Sequence, residues 1–139
     1  MFETVVVGAD GSASAAEAVQ QAIDLVKLTG GQLHIVSAYK PQQKLSSGDE
    51  FARSLDSGEV ADSVLADHSS RARSAGIEVK IHGKAGAPAD AICEVAAEVG
   101  ADLIIVGNKG MKGVRRVLGS LPNSVAPQDP CSVLIAATT

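Results

Sequence analysis

Apolar residues along this chain gather into five short runs, and between the runs they recur every three or four positions. The runs are Val5-Val6-Val7, the segment around Leu33, Ile35 and Val36, the alternating Ile77, Val79 and Ile81, the block Leu103-Ile104-Ile105-Val106, and Val133-Leu134-Ile135. Short, nearly continuous apolar runs bounded by turn residues are the mark of strands covered on both faces, as in a parallel sheet. They predict strands over 3–8, 32–39, 77–82, 102–107 and 131–136.

Between them the spacing turns helical. Ser12 or Ser14 caps a first helix that reaches Thr29, with Ser14 and Glu17 at capping-box spacing, and Gly30-Gly31 ends it. A second helix over 59–75 stops at Gly76. A third begins at Gly86-Ala87-Pro88, with proline in its first turn, and reaches Val99-Gly100. The last covers 114–126, and the polar stretch 40–57, rich in Gln, Ser, Asp and Gly, reads as a mobile loop. Strands and helices in alternation imply an α/β fold with a parallel, doubly wound sheet, right-handed crossovers and helices on both faces. A chain of 139 residues suits one domain over 1–139, burying roughly two-thirds of its unfolded surface.

The segment 107–120, GNKGMKGVRRVLGS, carries the most chemistry. It follows the fourth strand, where open α/β sheets hold their ligands. Gly107, Gly110 and Gly113 allow positive φ and close backbone approach, and Gly119-Ser120 offers a second approach with a hydroxyl. Lys109, Lys112, Arg115 and Arg116 add positive charge, with no acidic residue between Asp102 and Asp129. Backbone N–H groups at such a turn and at a helix N-terminus favour an anion, phosphate above all. The plainer alternative is a loop that needs glycine for its geometry beside a solvated basic helix face. At the end of the first strand, Asp10 could accept hydrogen bonds from ribose hydroxyls, or Asp10 and Ser12 could simply cap the first helix. Neither a three-glycine dinucleotide fingerprint nor a Walker A loop is present.

Composition narrows the classes. The net charge of -4 argues against nucleic acid as partner, since phosphate-backbone binders carry broad basic surfaces. Tyr39, Phe2 and Phe51 are the only aromatics, too few for base stacking or a membrane-interface belt. No apolar stretch approaches the roughly 20 residues that span a bilayer, and no export segment opens the chain, so a cytoplasmic protein without membrane contact is expected. Cys93 and Cys131 are too few for a disulfide framework or a cysteine zinc site, and both are read as reduced and buried. His34, His68 and His82 are read as packing or surface histidines, which leaves no nucleophile, base and orienter for an enzyme. Asp10 alone would be an obvious magnesium carboxylate for phosphoryl transfer.

VVVGADGS, LHIVSAY, GAPADAI, ADLIIVGNKG, GSLPNSV and CSVLIA, spread over nearly the whole chain, resemble the universal stress protein family, in its nucleotide-binding subgroup. The family's ATP signature is glycine, two residues, glycine, nine residues, then glycine with serine or threonine. Here eight residues separate Gly110 from Gly119-Ser120, one fewer than the signature. The resemblance implies a Rossmann-like five-stranded sheet of order 3-2-1-4-5, a homodimer, and binding of ATP, with Mg2+ accompanying it, or of AMP or cyclic AMP. It would set Asp10 at the ribose, the second strand's end near Ala38 at the adenine, Gly107, Asn108, Lys109 and Gly110 at the phosphates, and Gly119, Ser120 and Leu121 on their far side. The final strand, at a sheet edge, would join two copies. Three functions follow: a non-catalytic ATP-responsive stress regulator, a weak ATPase or autokinase, or a partner-binding or cyclic-AMP-binding dimer that has lost ATP. A one-residue deletion inside a helix would rotate all that follows by about 100°, so the shortening is expected before Val114, tightening the phosphate loop against a triphosphate.

Overall fold

A computed structural model describes residues 1–39, 48–108 and 131–137, giving for 48–59 the course of the backbone alone. Within them five strands form one parallel sheet: β1 (Thr4–Gly8), β2 (Gln32–Tyr39), β3 (Glu78–Ala85), β4 (Leu103–Gly107) and β5 (Ser132–Ala136), in the order β3-β2-β1-β4-β5. The helices are α1 (Ala13–Thr29), α2 (Gly48–Ser74) and α3 (Pro88–Val99). The order is the one implied by the family resemblance. The helix expected over 114–126, residues 40–47 of the expected loop, and Lys109, Gly110, Lys112, Gly113, Arg115, Arg116, Gly119, Ser120 and Leu121 lie outside the described residues.

Alternation along the central strands divides the core in two. Val5, Val7, Leu33, Ile35, Leu103 and Ile105 pack with Ala18, Val19, Ala22, Ile23 and Val26 of α1 and with Leu65 and Ala72 of α2. Val6, Val36, Ile104 and Val106 face Ala91, Ile92, Val95 and Ala96 of α3. Both faces of β1 are therefore covered, which is why Val5-Val6-Val7 shows no polar alternation.

At the amino end of the sheet, Asp102 ties β1 to β4. Its carboxylate accepts hydrogen bonds from Glu3 N at 3.0 Å and Thr4 N at 3.1 Å, and its own N–H donates to the Thr4 carbonyl at 3.0 Å. Gly30 and Gly100 end α1 and α3 in the left-handed region, φ 75° and 66°, each donating to the carbonyl four residues back.

Three expectations need correction. Residues 48–57 belong to α2 and not to a loop. Their Gly, Ser and Asp content masked helical spacing: Phe51, Leu55 and Gly58 continue in period the stripe that holds Ala61, Leu65, His68 and Ala72, and Asp49 and Glu50 suit a first turn. The N-cap of α1 is Ser12, whose Oγ accepts from Ala15 N at 3.1 Å, so Ser14 lies inside the helix and the Ser14–Glu17 capping box does not form. β3 also runs to Ala85, three residues beyond the expected end at His82.

Glycine is required where elements touch without room for a Cβ. A methyl on Gly31 would overlap the Glu3 backbone, whereas one on Gly8 would come within 2.6 Å of Ile92 Cδ1, the rotatable end of a side chain. Gly31→Ala should therefore cost about 2–3 kcal/mol of unfolding free energy and Gly8→Ala about 1 kcal/mol or less, as read by chemical denaturation.

Candidate functional site

The carboxyl ends of β1, β2 and β4 lie side by side, and four of the residues expected at the site are found there. Asp10 follows β1, Ala38 is the penultimate residue of β2, Gly107 ends β4, and Asn108 follows it. With β1 between β2 and β4, the Ala38 and Gly107 ends stand about 10 Å apart, two strand spacings. A small ligand laid across the end of β1 would touch both.

Each strand end is held from one side. Ala9 N donates to the Val36 carbonyl at 2.8 Å, fixing the start of the β1–α1 turn on β2. Asn108 N donates to the Ala136 carbonyl at 2.9 Å, fixing the residue after β4 on β5. Gly86, at φ 124°, donates to the Tyr39 carbonyl at 2.8 Å, so the β3–α3 turn closes over the end of β2. Val36, Tyr39 and Gly86 act through backbone atoms, which sequence reading does not single out.

The local turn that Asp10 and Ser12 could make is present. Asp10 is exposed at the sheet edge, and its Oδ1 accepts from Ser12 N at 2.9 Å, while Gly11 takes φ 85° and Ser12 caps α1. This local bond engages one carboxylate oxygen and holds the side chain beside the strand end.

Gly107 departs from expectation. It is a buried strand residue and not among the described glycines with positive φ. Its need for glycine comes from α1: a Cβ there would lie 2.6 Å from Ser14 Oγ and 3.2 Å from the Ser14 carbonyl oxygen. The first turn of α1 thus rests on the end of β4. The duty of Gly107 visible in the structure is packing.

The histidines lie away from this edge. His34 and His82 face each other on β2 and β3, with Nδ1 to Nε2 at 2.9 Å, and His68 Nδ1 is 3.3 Å from an Arg71 nitrogen between α1 and α2. Burial lowers the pKa of all three below the ordinary histidine value. Cys93 and Cys131 are free thiols, half-buried and not fully buried as expected. Burial pushes Cys131 up to about 11 and Cys93 upward as well, which keeps both as thiols at neutral pH. Among the described residues no group of three His, Cys, Asp or Glu side chains could hold a metal ion, and no helix is long and apolar enough to cross a membrane.

The universal stress protein family model matches residues 1–137. The chain belongs to the universal stress protein family. A universal stress protein of Mycobacterium tuberculosis is 37% identical to it, over 99% of this chain and 98% of its own. One from Synechocystis is 32% identical over 97% of this chain and 85% of its own. Among solved structures, a universal stress protein crystallised in complex with cAMP shares 37% identity, a TM-score of 0.71 and 99% of both chains. The sheet-edge arrangement above is thus that of a universal stress protein, with Asp10, Ala38, Gly107 and Asn108 on its carboxyl side.

If packing is Gly107's first duty, Gly107→Ala should destabilise the protein by about 1–3 kcal/mol even without nucleotide. Ser14→Ala, which removes the nearer of the two obstructing oxygens, should recover part of that loss in a double-mutant cycle. Additive effects would deny the contact.

Proposed function

We propose that this chain is a non-catalytic regulatory protein that responds to an adenine nucleotide, bound across the carboxyl ends of β1, β2 and β4. The observation that carries the reading is the full-length relative, 37% identical, crystallised with cyclic AMP. Asp10 would meet the ribose, the backbone near Ala38 the adenine, Gly107, Asn108, Lys109 and Gly110 the phosphates, and Gly119, Ser120 and Leu121 their far side. Lys112, Arg115 and Arg116 supply further positive charge. The glycine spacing, one residue under the family's ATP signature, favours a compact phosphate, so cyclic AMP or AMP is preferred over ATP. With ATP, a magnesium ion would be held chiefly by the phosphates, and Asp10 is the candidate carboxylate.

A regulatory role, and not phosphoryl transfer, is supported by the use of the titratable groups. The three histidines are engaged in side-chain contacts away from the sheet edge, and both thiols are held protonated. The domain is read as one unit over 1–139, placed in the cytoplasm.

The working form is proposed to be a homodimer joined along β5. This edge strand pairs only with β4 among the described residues, and Val133, Leu134 and Ile135 are each more than a third exposed. An apolar edge with open backbone groups satisfies itself best against a second copy about a two-fold axis.

Three measurements test these readings. Adenine nucleotide at about 100 times its dissociation constant should stabilise the fold by about 2.7 kcal/mol, raising the melting midpoint by several degrees. Gly110→Asp, which adds a Cβ and a like charge, should abolish that shift with the apo melt nearly unchanged. Titration with cyclic AMP, AMP, ADP and ATP should place ATP no better than the smaller nucleotides; ATP binding about tenfold tighter than all of them, roughly 1.4 kcal/mol, contradicts the compact-phosphate reading. Sedimentation at micromolar concentration should show a dimer, and Leu134→Pro, which removes a backbone donor, should weaken it. A monomer in the unmodified protein overturns the interface.

A further inference from the structure

His34 and His82 lie 48 positions apart in sequence, and the β2–β3 register brings them together. His34 is 2% exposed, on the sheet face shared with Val36 and covered by α3. Its Nε2 stands 2.8 Å from Gln32 Oε1, and Gln32 Nε2 donates to Glu78 Oε2 at 2.8 Å. Only the amide nitrogen can bond a carboxylate, which fixes the glutamine's orientation. Its oxygen can only accept, so His34 carries its hydrogen on Nε2. In the neutral ring Nδ1 is then an acceptor, and His82 Nε2–H donates to it across 2.9 Å. The donors run one way, from His82 through His34 and Gln32 to Glu78.

This direction gives two added protons different consequences. A first proton on His82 Nδ1 leaves all three hydrogen bonds in place. A second, on His34 Nδ1, aims one N–H at another and sets two positive rings with centroids 5.1 Å apart. We propose that the His34–His82 pair is a proton-operated latch on edge strand β3, its hydrogen bonds kept through the first proton and broken by the second. Among the described residues β3 has β2 as its one strand neighbour, so losing this contact loosens an outer strand and leaves β1 and β4 paired.

The surrounding charges set where it operates. β3 presents Glu78, Lys80 and Lys84, α3 presents Glu94 and Glu98 bound to Lys84 at 3.5 and 3.1 Å, and β1 sets the uncharged Val6 and Thr4 beside His34 and Gln32. For His34, burial, then His82 and Lys80, outweigh Glu78; for His82, burial with Lys84 and Lys80 outweighs Glu98. Both rings hold protons less readily folded than unfolded. The stability they contribute is complete above the ordinary histidine value of about 6.5 and is lost as pH falls through it toward the folded values.

The test uses the full chain with isotope-labelled histidine, titrated from about pH 8 to about pH 4.5, together with amide exchange of β3. In the unmodified protein the His34 and His82 rings should titrate separately, His82 first, both below the ordinary range. β3 protection should fall about tenfold more than β1 protection across the second step, the effect of one pH unit in proton affinity. His82→Gln, which keeps a donor toward His34 and takes no proton, should limit the differential loss to under about threefold. Independent titration of the two rings in the ordinary range, or equal loss of β3 protection in the variant, overturns the proposal.

Discussion

Everything in this molecule hangs on β1 being apolar on both faces. Val5, Val6 and Val7 are fully buried, and each such side chain contributes about 1.5–3 kcal/mol relative to exposure. Because β1 is sealed by α1 below and α3 above, its backbone must pair on both sides, and β2 and β4 supply that pairing. The chain can leave the sheet only at the strand ends. At the carboxyl edge Asp10, Ala38, Gly107 and Asn108 emerge together.

The same constraint explains what could be read from the sequence. Strands buried on both faces announce themselves as apolar runs, and the expected strand boundaries fall within one residue of the structure except at the end of β3. That strand lies at the sheet's edge, where Lys84 and Gly83 leave no apolar signal. The first turns of α2 were hidden for a related reason: Gly48, Ser54, Ser57 and Gly58 look like loop, and only the period joining Phe51 and Leu55 to the later stripe tells otherwise.

For the candidate residues that the structure describes, the place in the fold was legible in the sequence and the local contacts were less so. Asp10 and Ser12 were open to two readings, and the structure shows their local bonds to the helix start. Gly107 was read as a flexible turn residue, because a glycine that avoids Ser14 looks in sequence like one that bends; the difference is a contact with a helix more than ninety residues earlier. The histidine pair was out of reach for the same cause, since only the β2–β3 register brings the rings together.

The two outer strands of the sheet are unlike. β5 shows its own apolar side chains at the rim, whereas β3 places Lys80 and Lys84 there beside a half-exposed Ile81. A sheet with two equally adhesive rims could add subunits end over end without limit and grow into a fibre. Charge on one rim leaves a single adhesive side, so the pairing proposed along β5 would close after two chains and give a finite assembly.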